Sequence, residues 1–599
     1  MDYKRKMMSQ PTRLFDCIDM QLKEAPNRTM LAGKENNAWK EYSSVEVSEI
    51  VNKLSSGLLY AGIGPGNYTI EGRDKVAVIS KNRPEWVMLD LAVQQIGAIL
   101  VPIYPTVSDI DLEFILKDAD VKIIFVNDES LYQKTKQLKT KLPRLKEIIS
   151  FEKVESVKNF EDTLLPLTEN IIGEIKTISN KIKEDELATI IYTSGTTGTP
   201  KGVMLSHKNI LSNVMASIPC FPPGENLKAL SFLPLNHIFE RMISYIYLYK
   251  GTSIFFAESM DTIPQNLIEV KPEIFATVPR LLEKVYEKIM QKGNELTGVK
   301  KKLFFWAHDL ASKFEINKRQ GFFYDLQLSI ANKIIFNKWR KALGDKVICI
   351  ISGGAACQVR LLRIFTAAGI PIMEGYGLTE TSPVVSVNRF EEENRMFGTV
   401  GPLIKDVEVR FADDGEILCK GPNVMMGYYK NPKLTAEVME DGWFKTGDIG
   451  KMEGKFLKIT DRKKEIFKTS GGKYVAPIAI ENKLKESDFI ENLVVVGAGE
   501  KFVTALIVPA FANLKNWCTQ NNIAGNSNEE IVQNPLVTAL YKKEVEKYNQ
   551  FFNHVEQVKK FELLPTEWTI NGGEMTPKLS LRRKIILQKN NDLIRKMYS

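Results

Sequence analysis

Cysteine is sparse in this chain: six residues among 599, at Cys17, Cys220, Cys349, Cys357, Cys419 and Cys518, with no C-x-x-C pair. Such spacing argues against a disulfide frame or a zinc site and for reduced thiols in the cytoplasm. Histidine is scarcer, and the four present are too scattered to form a metal-ligand cluster. No run of roughly eighteen uncharged apolar residues occurs, so no membrane-spanning helix is expected. The opening MDYKRKMMSQPTRLFD has basic residues without an apolar stretch behind them, so no secretory signal is expected either. Two glycine patterns are also missing. There is no G-x-x-x-x-G-K-[ST], and GIGPGN at 62–67 lacks the last glycine of G-x-G-x-x-G. Internal repeats and low-complexity segments are absent too.

What is present is ordinary globular composition, 44% hydrophobic and 26% charged. A chain of this length exceeds one hydrophobic core, so at least two domains are expected. The formal charge of +8 is concentrated in VKKKLFF near residue 300 and in SLRRKIILQKNNDLIRK at the C-terminal end. No nucleic-acid motif accompanies it, so the expected partners are anionic small molecules or an anionic membrane face, not nucleic acid. Nothing in the sequence sets an oligomeric state.

Over the first 380 residues or so, apolar runs alternate with amphipathic stretches. KVAVIS (75–80), VKIIFV (121–126), LATIIYTS (187–194), LKALSFL (227–233), TSIFF (252–256) and KVICIIS (346–352) read as buried strands. VEVSEIVNKLSSGLLYAG and PEWVMLDLAVQQIGA read as helices between them. This alternation predicts an α/β fold of layered βαβ sheets. From about 397 to 460 the texture changes to short strands and glycine turns, with Asp414-Gly415 placed for a hairpin, which predicts a small β-subdomain. The charged DRKKE then marks a joint, giving domains at 1–460 and 461–599, the second a small α+β unit. Residues 289–345 form a helical insertion rich in Lys, Phe and Trp, which reads either as packed surface helices or as a membrane-surface patch.

YTSGTTGTPKG at 192–202 follows a predicted strand and precedes VMLSHKNILSN, whose pattern suits a helix. Its glycines let successive N–H groups point inward and its hydroxyls add donors, a nest suited to phosphate oxygens, with Lys201 supplying one cation. A polar turn without a ligand fits the bare pattern as well.

The string resembles the signature loop of the adenylate-forming superfamily of acyl-CoA synthetases, luciferases and adenylation domains. FLPLNHIFER (232–241), SGGAA (352–356), EGYGLTETSP (374–383), GWFKTGD (442–448) and DRKKEIFKTSGGKYVAP (461–477) follow in that family's order. Together they look most like the bacterial long-chain fatty-acid–CoA ligases. The resemblance implies ATP-dependent activation of a fatty acid to acyl-AMP with release of pyrophosphate, then transfer to CoA. By the same resemblance Thr193, Ser194, Gly195, Thr196, Thr197, Gly198 and Lys201 would wrap the phosphates. Glu380 would hold Mg²⁺ and Thr379 would donate to the α-phosphate. Tyr376 would stack on adenine, with Gly353, Gly354 and Ala355 admitting its other face. Asp448 and Arg462 would bind the ribose, and His237 would flank the carboxylate and α-phosphate.

For the second step, the resemblance makes the C-terminal domain mobile, turning about Asp461, with Gly471, Gly472 and Lys473 bordering the thiol channel. One position departs from the family. Its adenylation lysine falls on Ser580 in TPKLSLRRK (576–584), with Lys578 two residues earlier. In an extended segment two residues keep one face, so Lys578 is expected to replace it; Arg582 or a slow first step are the alternatives. Delivery to a carrier-protein phosphopantetheine, or a weakly active acyl- or adenylate-binding sensor, are alternative functions. ISYIYLY (243–249), the IFFAESM stretch and the insertion are candidate linings for an acyl tunnel, or ordinary core. The expected location is the cytoplasm, with peripheral contact at the inner membrane face.

Overall fold

The computed structural model describes residues 11–194, 199–224, 226–523, 525, 527–569, 572–576 and 580–599, without the side chain of Ser194. Two large mixed sheets organise the N-terminal part. The seven-stranded sheet runs, in spatial order, Gly427–Tyr428, Pro200–Ser206, Leu187–Ser194, Ile99–Ile103, Lys75–Ile79, Ile123–Val126 and Glu147–Ser150. The last five are mutually parallel, and the first two join antiparallel. Lys75–Ile79 and Ile99–Ile103 are buried along their whole length, as strands covered on both faces must be. Their connection is the helix Pro84–Gln95, because parallel neighbours need a crossover.

The eight-stranded sheet runs Val384–Val387, Ile372–Gly377, Cys349–Ser352, Ile274–Thr277, Lys228–Ser231, Ser253–Phe256, Thr29–Glu35 and Ala38–Ser43. Its centre is parallel and its two edge pairs antiparallel. A five-stranded sheet contains the expected hairpin, with Phe411 opposite Ile417 and Gly415 at φ +82. Its long pair joins Trp443–Glu453 to Phe456–Arg462, setting Asp448 opposite Arg462 and Ile449 opposite Asp461. The division at 460/461 therefore falls inside a strand. Gly427–Tyr428, within the span expected for the β-subdomain, belongs to the seven-stranded sheet instead.

One apolar core runs from Leu14 to Leu457 and a separate one from Val475 to Met597. The second surrounds the sheet of Ile490–Val496, Val503–Pro509 and Val558–Leu563, an α+β unit. Ion pairs between the two units include Arg280 with Glu491, and Arg360 with Asp488 at 2.8 Å.

Two readings need correction. VMLS is not the start of a helix but the end of the strand Pro200–Ser206, which doubles back on Leu187–Ser194. The helix begins only at His207, where the Ser206 hydroxyl accepts the Asn209 N–H. The phosphate-loop candidate thus joins two antiparallel strands. The helical layer around the insertion begins earlier than 289, at Pro279, where proline suits the first turn.

Candidate active site

The parallel strands of both large sheets end facing one region, the place where open α/β sheets bind ligands. Residues just past Ile79, Ile103, Ser231, Phe256, Thr277 and Ser352 line one cavity of about 290 Å³. Asn82 ties the sheets together there, donating to Leu233 O at 2.6 Å and accepting Leu235 N–H at 3.0 Å. A second apolar cavity lies between the helix Ile238–Lys250 and the strand ends at Gly353 and at Gly375–Gly377. His237, Phe239 and Gly354 line both cavities. His237 precedes that helix and its Nδ1 accepts the Phe239 N–H at 3.1 Å. A Cβ on Gly353 would stand 3.0 Å from the Phe239 ring, so glycine admits the ring there.

Of the candidate tunnel residues, Ile243 lines this second cavity, whereas Ala257 to Met260 line the first. Residues 289–345 line neither of these two cavities. Helices within the insertion are tied to one another instead, as where Tyr324 donates to Leu310 O.

Lys201 and Glu380, 179 residues apart, form an ion pair of 2.7 Å. Lys201 projects from the strand Pro200–Ser206, and Glu380 from the short turn Thr379–Thr381. Tyr428 completes the cluster: Lys201 donates to its hydroxyl at 2.5 Å, and that hydroxyl donates to Glu380 Oε1 at 2.8 Å. Burial alone would raise the Glu380 pKa, but Lys201 and the Tyr428 hydroxyl outweigh it and hold it below the ordinary value. Thr379 is buried beside it. Thr193 Oγ1, at the entrance to the signature loop, is buried without a partner among the described residues. Gly195, Thr196, Thr197 and Gly198 lie outside the described residues.

A second polar group adjoins the first. The Tyr376 hydroxyl donates to Asp448 Oδ2 at 2.7 Å, and Arg462 Nε sits 3.2 Å from Asp448 Oδ1. Burial raises the Asp448 pKa, opposed by Arg462 and the Tyr376 hydroxyl. Gly354 and Ala355 are exposed at the end of their strand. Asp461 is buried and accepts the backbone N–H groups of Arg462 and Ile478, yet burial still pushes it up to about 7. Gly471, Gly472 and Lys473 form an exposed turn on the C-terminal unit, closed by Thr469 N–H to Lys473 O.

Lys578 lies outside the described residues. On either side of it, Met575 pairs antiparallel with Leu581, and Thr576 N–H donates to Ser580 O at 2.9 Å.

Tyr428 was missed from sequence, because GYYK carries no polar signature and only sheet pairing brings it to Lys201. Arg241, in the quoted FLPLNHIFER, was given no role. It is buried, its Nε donates to Asp90 Oδ2 at 2.9 Å and its Nη1 to Thr189 Oγ1 at 2.8 Å. It thereby ties the helix after His237 to the strand leading into the signature loop.

This geometry is that of a nucleotide-binding α/β enzyme, and sequence comparison agrees. The AMP-binding enzyme pattern matches residues 18–429, and the AMP-binding enzyme C-terminal domain pattern matches 464–599. The chain belongs to the AMP-binding enzyme family. It is 33% identical over 574 residues to the long-chain-fatty-acid–CoA ligase FadD15 of Mycobacterium bovis, covering 94% of this chain and 93% of that one. It is 32% identical over 630 residues to long chain acyl-CoA synthetase 5 of Arabidopsis thaliana, covering 98% and 91%. Among solved structures, the adenylation domain of a carboxylate reductase from Mycobacterium chelonae matches with a TM-score of 0.76 at 18% identity, covering 100% of this chain and 93% of that one.

Proposed function

We propose that this protein is a long-chain fatty-acid–CoA ligase acting in two steps. The fatty-acid carboxylate attacks the α-phosphorus of ATP, the bond to pyrophosphate breaks, and acyl-AMP forms. The CoA sulfur then attacks the acyl carbonyl, AMP leaves, and the thiol proton is released. The observation that carries this reading is the cluster Lys201–Glu380–Tyr428 beside an apolar cavity: Gly377 and Pro383, on either side of Glu380, both line it.

An anion attacking an anion needs fixed cations and oriented donors. Lys201, the Thr193 hydroxyl and Ser194 to Gly198 serve the departing phosphates. The unpartnered Thr193 Oγ1 fits that role. Mg²⁺, held by Glu380, would neutralise phosphate charge. One carboxylate plus substrate phosphate oxygens suits a hard cation of this kind. Thr379 donates to the α-phosphate. Tyr376 with Gly353, Gly354 and Ala355 takes the adenine, while Asp448 and Arg462 take the ribose. His237 orients the carboxylate where the two cavities meet. The cavity between the helix Ile238–Lys250 and the strand ends takes the acyl chain, and the one joining the two sheets takes the thiol arm. Turning about Asp461 brings Lys578 for the first step and Gly471, Gly472 and Lys473 for the second. We place the enzyme in the cytoplasm, in peripheral contact with anionic membrane.

The test is pyrophosphate release with Mg-ATP across acids from acetate to oleate, with and without CoA, for wild type and Lys578→Ala. CoA-dependent turnover peaking at long chains and lost in the variant is expected. Turnover surviving the substitution would move the catalytic cation elsewhere. No turnover with any acid would overturn the reading in favour of a sensor, and activity restored by a carrier protein would change the acceptor.

A further inference from the structure

The helix Phe322–Ala331 has two apolar faces, and only one is packed. Ala331 is buried, and Tyr324 reaches inward to Leu310 O at 2.9 Å. On the other side Phe322, Leu326 and Ile330 repeat every four residues along one outer stripe, joined by Phe323 and, one turn on, Ile334. Phe322 and Phe323 are 76% and 77% exposed, with rings 5.8 Å apart. Clustered aromatics at that exposure exceed what scattered surface apolar residues explain.

The charges around this stripe are one-sided. Between residues 316 and 344 stand Lys318, Arg319, Lys333, Lys338, Arg340 and Lys341, against the single acid Asp325. All but Arg340 among these bases are exposed. A second copy docked symmetrically through this face would set these bases against themselves, since such an interface pairs one patch with its own image. A bilayer carrying anionic headgroups satisfies both features at once. Aromatic and aliphatic side chains enter the acyl boundary while lysines reach the phosphates.

We infer that the outer face of Phe322–Ala331, with its flanking lysines, is a docking surface for an anionic lipid bilayer. No described helix is long and apolar enough to cross a membrane, so the contact lies in the interface plane. The inference is independent of the ligase reaction, because it concerns a surface that lines neither cavity of the candidate site.

The experiment is flotation of the full-length protein with phosphatidylcholine vesicles, with and without phosphatidylglycerol, in the absence of ATP and acid. Each basic residue near such a surface contributes about 1 kcal/mol, roughly fivefold in partitioning. Wild type is therefore expected to float with anionic vesicles and to lose binding at least about tenfold on neutral ones or in high salt. Phe322→Ser with Phe323→Ser should weaken partitioning about tenfold or more. Lys333→Glu with Lys338→Glu should do likewise while leaving the apolar face intact. Unchanged melting temperatures establish that the variants fold. Failure of wild type to float, or equal flotation of wild type and both variants, overturns the inference. So does a wild-type dimer by light scattering that the serine variants dissolve, with no lipid binding, which would assign the face to a second copy. Because vesicle binding is read without turnover, its failure is separate from failure of the ligase assignment.

Discussion

Lys201, Glu380 and Tyr428 form a closed triangle in which the tyrosine hydroxyl receives from the lysine and donates to the carboxylate. A hydrogen bond to a charged group contributes about 1.5–3 kcal/mol. Tyr428→Phe is therefore expected to lower kcat/KM for ATP about tenfold to a hundredfold with the fold intact. Unchanged steady-state pyrophosphate release would remove Tyr428 from the site. Glu374 presents a different case. Burial raises its carboxyl to about 8, although its Oε1 accepts the Cys357 N–H at 2.7 Å. An unfolded glutamate titrates near about 4.3. Between roughly pH 4 and 8 the folded state thus holds a proton that the unfolded chain has lost, so stability falls as pH rises through that window. Glu374→Gln keeps an acceptor for Cys357 but cannot ionise. Its melting temperature should decline less than wild type from pH 5 to 8, and parallel curves would contradict the raised pKa.

At the scale of elements, the site depends on a buried polar knot. Arg241 on the helix Ile238–Lys250 donates both to Asp90 on Pro84–Gln95 and to Thr189 on Leu187–Ser194, and Tyr245 OH donates to Asp90 Oδ2 at 2.6 Å. Replacing one partner of such a pair leaves an uncompensated buried charge, at about 3–5 kcal/mol. Arg241→Met should lower stability by that amount, and adding Asp90→Leu should recover much of it. Urea unfolding midpoints test this; a double variant no better than the single would show that the knot is not an ion pair in energetic terms. The helices and strands themselves were legible early. VEVSEIVNKLSSGLLYAG became Ser44–Tyr60, and KVAVIS became Lys75–Ile79, because a short apolar run such as VAVI between polar residues suits a buried strand. VMLS was misjudged because its apolar residues suit either period and only pairing with Leu187–Ser194 decides.

For the whole molecule, the question is what holds the two units in this orientation. Arg280–Glu491 and Arg360–Asp488 cross between them and flank a cavity of about 450 Å³. Any turning about Asp461 must break both. Partly exposed pairs contribute about 0.2–1 kcal/mol each. Glu491→Gln with Asp488→Asn should therefore shift the balance of orientations by about twofold to thirtyfold. In single-turnover measurements the adenylation and thioester half-reactions should move in opposite directions. Both moving together, or neither, would exclude these pairs as a latch.

The sequence by itself determined the α/β layering, the hairpin at Asp414-Gly415, and the family, since ordered motifs persist when overall identity is low. It could not decide which distant side chains meet. Tyr428 joins Lys201 only because a two-residue strand adds to a sheet edge, and Asp448 meets Arg462 only through cross-strand register. The same holds for the outer face of Phe322–Ala331. Composition showed a helical insertion rich in Lys, Phe and Trp, but whether a neighbour covers each apolar stripe is settled by packing over long sequence separations. Local propensity acts within a few residues, whereas a site or a docking face is a property of surfaces that only the tertiary structure brings together.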